Sequence, residues 1–420
     1  MMLRLLAMAV AIVGTGILSG MATAASTASP SEGRPGLQAL VDATVDGDVL
    51  DIPSGTWHGP IVVRTPMTLR GTDVIVDGGG TGTVVTIAAP GVVVEGLDVR
   101  GSGEQATGQS DACIRINREA SGAIVRDNTL VACYFGIWVS ETDGARVEGN
   151  VVTGDQRRHR SQRGNGIHLY NASNLVVTDN TVTGGRDGIY VSTTRDSLIA
   201  RNHLERTRYG IHYMYANDNV IRGNVTLHNG AGIALMQSRR LEVDENVSRH
   251  NERNGILLRD VLYSQVRNNR LEQNTEGLFF YGGQGNTVAG NRIAGNDIGL
   301  KIWGHSIRNT VTRNDFIGNR RQVFYVGTHD LEWGVDEVGN RWSDYVGWDQ
   351  DGDGIGDRPY RVESFTSRLL YQFPAAALLL RSPSLELLAH MEQRLPMLRS
   401  PTIIDRRPLM YSRVDEGEGS

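Results

Sequence analysis

From Gly136 onward the chain repeats one short pattern of apolar and polar positions. A Gly followed by Ile or Leu recurs at Gly136, Gly166, Gly188, Gly210, Gly232, Gly255, Gly277 and Gly299, in steps of 30, 22, 22, 22, 23, 22 and 22 residues. Of the four residues after each Gly, the first and third are aliphatic almost throughout. Ile167-His168-Leu169-Tyr170, Ile189-Tyr190-Val191-Ser192, Ile211-His212-Tyr213-Met214 and Ile233-Ala234-Leu235-Met236 are four in succession. Alternation with a period of two marks a strand with one buried face, so the first and third side chains point inward and the second and fourth outward. A second apolar column lies three residues before a recurring Asn: Val125, Val147, Val177, Ile199, Ile221, Val243, Val266, Val288 and Val311. The Asn positions are Asn128, Asn150, Asn180, Asn202, Asn224, Asn246, Asn269, Asn291 and Asn314, each 14 residues after its Gly from Asn150 on, with 15 for the last.

Each unit is rich in β-branched residues, Gly and Asn and has no stretch with helical periodicity, which predicts short strands joined by tight turns. Leucine-rich repeats have similar periods but need a Leu consensus that is absent. The predicted fold is all-β: a right-handed parallel β-helix, a solenoid of about 22 residues per coil with three short strands each. The Asn column is structural in this reading, because Asn tolerates a left-handed backbone and stacked amides bond along the axis. The single 30-residue step holds an eight-residue basic insertion, Asp155-Gln156-Arg157-Arg158-His159-Arg160-Ser161-Gln162. It is read either as a solvated loop or as a lid or docking loop beside the outward face.

Composition agrees with a turn-rich solenoid: 51 of the 420 residues are Gly and only 6% are aromatic. A net charge of −5, from 42 basic and 47 acidic residues, gives no support to nucleic-acid binding. Arg4, the apolar run 5–18 and Ala22-Thr23-Ala24 have the form of a secretory signal, which predicts a mature, exported chain from Ala25. Export permits a disulfide between Cys113 and Cys133, but their separation of 20 does not match the repeat, so two small half-buried apolar residues is the other reading. The predicted division is 1–24 signal peptide, 25–345 β-helix, 346–361 Asp/Gly-rich segment and 362–420 C-terminal docking extension. Within the third segment Asp349, Asp351, Asp353 and Asp357 take positions one, three, five and nine of a calcium loop, with Gly354 at the sixth. Tyr360 stands at the twelfth, where the full motif has Glu, so the candidate calcium loop is incomplete. Residues 384–395 suggest one amphipathic helix, and the tail 396–410 is basic and broken by Pro396, Pro401 and Pro408. The tail does not fit the β-helix repeat. Helix and tail are read either as docking to a membrane partner or as a cap on the open solenoid end.

The outward face carries the candidate chemistry. Met214 and Met236 hold the same position on neighbouring coils, which lie about 4.8 Å apart. His212 lies two residues before Met214 on the same face. Thioether sulfur with imidazole is the ligand set that favours copper(I) over harder ions. The other reading has these side chains packing under the insertion or a partner. His168, two coils before His212, is a further but weaker candidate. His203, His228 and His250 fall at other phases and are read as solvated. Phe279, Tyr281 and Trp303 later on the face suggest a contact surface. A polysaccharide lyase, hydrolase or epimerase is the alternative on this fold, but the outward columns from Gly136 to Gly299 contain no Asp or Glu to serve as a carboxylate pair. A metal-free docking scaffold is a third reading.

The coils GIHLYNASNLVVTDN, GIYVSTTRDSLIARN and GIHYMYANDNVIRGN, the segment GNRWSDYVGWDQDGDGIGDRPY and the tail SPTIIDRRPLM resemble the NosD family, periplasmic copper-processing proteins needed to mature nitrous oxide reductase. The likeness spans nearly the whole mature chain. The β-helix repeats are weakly specific, whereas the GWDxDGDGIGDxPY ending and the tail are far more so. The resemblance implies a non-enzymatic β-helix docked on the outer side of the inner membrane. Its implied partners are an ABC transporter permease with its cytoplasmic ATPase, the nitrous oxide reductase apo-enzyme as copper recipient, and a copper-donor lipoprotein. It does not map copper ligands; His212, Met214 and Met236 rest on the register argument.

Overall fold

A computed structural model describes residues 35–105, 110–156, 158–303, 306–335, 338–362 and 402–412, with the isolated helical positions Pro383 and Leu387. The expected signal peptide and, Leu387 apart, the expected helix over 384–395 lie outside the described residues. Among the described residues no helix is long and apolar enough to cross a membrane.

The described chain winds into a β-solenoid whose successive coils pair strand on strand in parallel. One coil runs Tyr209–Met214, Val220–Arg222 and Val225–Leu227 before the next begins at Ala231–Met236. The Gly-led strands stack into a 12-stranded sheet from Ile61–Val63 to Arg321–Val326, and the shorter strands form a second sheet of 23. The winding thus begins well before the legible repeat. A short helix, Leu37–Ala43, precedes the first coils with Leu37 and Val41 buried, and its Gln38 exchanges two hydrogen bonds with the backbone of Val62.

Both predicted inward columns form the core. Val125, Val147, Val177, Ile199, Ile221, Val243, Val266, Val288 and Val311 are all buried, as are Ile189, Ile211, Ile233 and Ile256 opposite them. They meet in register, Ile199 on Ile221 and Ile211 on Ile233 for example. One coil contributes only a few such side chains, so its apolar surface is removed from water by the coils above and below.

The Asn column sets the coil-to-coil geometry. Asn180 donates its backbone N–H (3.0 Å) and its Nδ2 (2.9 Å) to Oδ1 of Asn202, and Nδ2 also donates to the Val147 carbonyl (2.8 Å). Asn202 repeats this onto Asn224, and Asn224 onto Asn246. The left-handed backbone that the sequence suggested for these Asn belongs instead to the residue before each, among them Asp127, Asp179, Arg201, Glu245 and Asn268, with Gly at 149, 223 and 290. A second ladder runs through Asn229, Asn251, Asn274, Asn296 and Asn319 at another corner.

Such a ladder leaves unmatched donors at its last rung, and the tail supplies the acceptor. Oδ2 of Asp405 accepts from the backbone N–H of Asn340 (2.7 Å), from its Nδ2 (3.2 Å) and from Nε1 of Trp342 (3.0 Å). A Cβ on Gly339 would collide with that carboxylate, which accounts for the Gly before Asn340. Ile403–Asp405 pairs with Leu331–Trp333 and Tyr360–Arg361, and Arg406 makes two bonds to Glu332 (2.9 and 2.6 Å). Residues 402–412 therefore belong to the end of the solenoid, contrary to the reading that set the whole tail apart from it. Cys113 and Cys133 form a disulfide, their Cα atoms 5.5 Å apart. Phe135 pairs with Ala112, which brings the turn carrying Cys133 beside Cys113 despite the off-repeat spacing.

Replacing Asp405 by Ala strands three buried N–H donors. Asp405→Ala is expected to cost on the order of 3 kcal/mol in chemical denaturation, and Asp405→Asn, which keeps an acceptor oxygen, clearly less. Equal stability of Asp405→Ala and the unmodified chain would remove the capping role.

Candidate metal centre on the outer strand face

Two outward columns are set by the pairing of the Gly-led strands. Trp138, His168, Tyr190, His212 and Ala234 follow one another in register, and beside them run Ser140, Tyr170, Ser192, Met214, Met236 and Arg259. Met214 and Met236 are direct register partners, both half-buried. His212 stands two residues before Met214 on the same strand.

His212 is 7% exposed and its two ring nitrogens differ in environment. Nδ1 lies 2.9 Å from Oδ2 of Asp187. Arg208 binds the same carboxylate with two bonds, 2.8 Å to Oδ1 and 2.6 Å to Oδ2. Burial pushes the Asp187 carboxyl up, but the bonds from His212 and Arg208 outweigh it and hold the group below its ordinary range. An ionised carboxylate only accepts, so Nδ1 carries a proton in its bond to Asp187, and Nε2 is the nitrogen left for another partner. Nε2 is buried and has no hydrogen-bond partner among the described residues. The rings of Tyr190 and Tyr209 stand 4.9 and 4.8 Å from the imidazole. A carboxylate on one imidazole nitrogen and an unpartnered nitrogen on the other is the arrangement of a metal-binding His with its orienting partner.

Asp187 and Arg208 escaped the alternation argument. Asp187 opens the strand one residue before Gly188, and its side chain reaches the outer face at His212 and Arg208. The same holds one residue before Gly277, where Glu276 binds Nζ of Lys301 at 2.6 Å. The second and fourth positions themselves carry no Asp or Glu, as expected; the carboxylates come from the residue before the Gly. Both pairs are separated by 25 residues, one coil plus three, and that shared offset was the signal available in the sequence. Asp187 and Glu276 stand four coils apart, about 19 Å, well beyond the ~5–9.5 Å of glycosidase carboxylate pairs.

His168 does not converge on His212. The Tyr190 ring lies between them, 4.8 Å from one and 4.9 Å from the other, and His168 stacks on Trp138 at 3.8 Å. Burial pushes its imidazole down to about 3, and Nδ1 sits 3.1 Å from Nδ2 of Asn165. The basic insertion is fastened along the edge of the face where Asp187 and Arg208 stand. Arg163 donates to the Gly184 carbonyl (3.0 Å), and Arg160 makes two bonds, 3.1 and 2.8 Å, to Glu252.

The other candidate residues lie elsewhere. Asp349, Asp351 and Asp353 bring carboxylate oxygens within 4.8 Å of one another, while Asp357 is tied to the backbone N–H of Gln350 (2.7 Å). Asp349 accepts the N–H groups of Gly352 (2.7 Å) and Gly354 (2.9 Å), bonds that close the loop on itself. Tyr281 and Trp303 are exposed, with Lys301 lying 4.6 Å from the Phe279 ring.

Comparison with known proteins adds a family. Residues 149–347 match the family described as "Periplasmic copper-binding protein (NosD)". The chain is 42% identical over 412 residues to the "Probable ABC transporter binding protein NosD" of Pseudomonas aeruginosa, covering 94% of each chain. It is 37% identical over 375 residues to the protein of the same name from Stutzerimonas stutzeri, covering 86% of each. Solved structures share the fold alone. PfbA, a surface adhesin of Streptococcus pneumoniae, superposes with a TM-score of 0.54 at 13% identity, over 68% of this chain and 87% of its own. A hyperthermoactive exopolygalacturonase from Thermotoga maritima gives 0.52 at 11% identity, over 65% and 85%.

The depressed imidazole of His168 has a consequence for stability. Between the ordinary His value of 6.5 and its folded value of about 3, the unfolded chain holds a proton that the folded chain lacks. Stability is therefore full above 6.5 and falls as pH drops through this window, by up to ~1.4 kcal/mol per pH unit. Denaturation of His168→Gln against the unmodified chain at pH 7, 6, 5 and 4 should show a shallower loss in the variant. Parallel curves would contradict the neutral, buried imidazole.

Proposed function

The chain belongs to the NosD family of periplasmic copper-binding proteins, and from that premise we propose that its outer strand face carries copper(I) at His212, Met214 and Met236. The observation that supports this most is the buried, unpartnered Nε2 of His212, oriented by Asp187, on the strand that also carries Met214. An acceptor buried without a partner costs about 1–3 kcal/mol, and a cation bound there recovers that cost. Two thioethers on register partners, with an imidazole two residues before one of them, suit a monovalent soft ion, which tolerates low coordination and neutral donors. Asp187 on Nδ1 leaves Nε2 as the nitrogen that faces the ion.

Copper is cargo in this reading. The protein acts in the periplasm with an ABC transporter made of a permease and a cytoplasmic ATPase. It passes copper to the nitrous oxide reductase apo-enzyme for its copper–sulfur site, after receiving it from a donor lipoprotein. Half-buried sulfur ligands on a surface strand suit that exchange better than a closed structural site. As a member of this family the chain is an accessory protein and not an enzyme. His168, behind the Tyr190 ring, is a flanking residue in this proposal. The aspartate loop has no part in holding copper(I), since carboxylates suit harder ions.

Anaerobic titration with copper(I) against a competing chelator tests the assignment. Met214→Ala/Met236→Ala and His212→Gln should each weaken binding by about 100-fold or more, equivalent to ~2.7 kcal/mol. Asp187→Asn, which disturbs the imidazole without touching the ion, should weaken it about tenfold. Affinity unchanged in the double Met variant would end the proposal.

A further inference from the structure

The sequence reading placed His228 and His250 at a phase unrelated to the outer face. The structure shows that they share a phase with each other. Their rings stack on neighbouring coils with centroids 5.3 Å apart and planes 12° from parallel. Both are exposed and both occupy the same left-handed turn position, with φ of 53° and 55°. Each directly precedes a rung of the second Asn ladder. The backbone N–H of Asn229 donates to Oδ1 of Asn251 at 3.0 Å, and the N–H of Asn251 to Oδ1 of Asn274 at 3.0 Å. The spacing of the two imidazoles is thus held by the same bonds that hold the coils.

We infer that His228 and His250 form a second metal site, open to solvent, for a borderline divalent cation, copper(II) foremost. Two imidazole nitrogens each about 2.1 Å from one ion stand at most ~4.2 Å apart. In the stacked arrangement the nitrogens run side by side, so binding one ion requires both exposed side chains to turn about χ1 and χ2 until a nitrogen of each points at it, a movement of side chains on a fixed backbone. Imidazole suits copper(II), nickel and zinc, and among these copper(II) binds a given nitrogen site most tightly. No sulfur lies at this turn, so the pair does not select the monovalent ion proposed for His212. Glu252 and Asp297 line the same groove and make its field favourable to a cation. Each is already engaged, Glu252 by Arg160 and Asp297 by Arg320. Among the described residues no third His, Cys, Asp or Glu donor converges on the pair. The remaining coordination positions fall to water, which makes the site one of rapid uptake and release. The inference stands on the turn geometry and does not depend on the outer-face site.

The test uses the whole mature protein with copper(II) chloride alone, followed by calorimetry and electron paramagnetic resonance. A copper(II) signal with the hyperfine pattern of two imidazole nitrogens is expected. His228→Gln and His250→Gln should each weaken it by about tenfold or more, equivalent to ~1.4 kcal/mol. Met214→Leu/Met236→Leu should leave it unchanged, and zinc should displace copper(II) only in excess. Both His side chains are exposed, so thermal melting of the variants should match the unmodified chain. A two-imidazole signal that persists in His228→Gln/His250→Gln, or is missing from the unmodified protein, would overturn the inference.

Discussion

The side-chain amide bond from one Asn to the next, made inside the solenoid from Asn128 to Asn340, is the interaction on which the other features rest. Each rung satisfies a backbone N–H, a side-chain amide and a carbonyl one coil back, as Asn180 does with Asn202 and Val147. A strand slipped by one residue would leave these buried groups unpaired and turn its apolar side chains to solvent. Register is therefore fixed by polar bonds and apolar packing together. The same bonds require an acceptor at the final rung. Asp405 provides it, which binds the end of the chain to the end of the solenoid.

Fixed register converts sequence spacing into spatial neighbourhood, and this is how a surface strand acquires a site. Met214 lies beside Met236 because Ile211 lies on Ile233 and Tyr213 on Leu235. Asp187 reaches His212 because it stands one coil and three residues earlier. A loop-built site would need each side chain held separately; here the ladder holds all of them. The site is also dry on one side. Tyr190 and Tyr209 flank the imidazole, and Arg208 keeps Asp187 ionised though buried. Charge is thus held on the Asp187 side of the imidazole ring, away from the Nε2 proposed to face copper(I).

Much of this was legible from the sequence, for reasons that also mark where the reading stopped. The inward columns and the pairing of Met214 with Met236 follow from a repeat of constant length, since a constant step keeps equivalent residues in line. Asp187 and Arg208 were missed because the alternation was counted only over the four residues after each Gly, and both stand before it. The disulfide between Cys113 and Cys133 was left open because its spacing was judged against the repeat, whereas it links a strand to a turn. The tail carries no repeat signal at all. Its place is dictated by the unmatched donors of Asn340 and Trp342, which only the folded ladder displays. The stacking of His228 on His250 was present in their spacing of 22 but was set aside because neither lay on the face under study.

The most direct test of the account is anomalous diffraction at the copper edge from crystals grown anaerobically with copper(I). The account predicts one dominant peak within bonding distance of Nε2 of His212 and the sulfurs of Met214 and Met236, with Asp187 still on Nδ1. A dominant peak away from this face, or those three side chains in place with no copper between them, would contradict it.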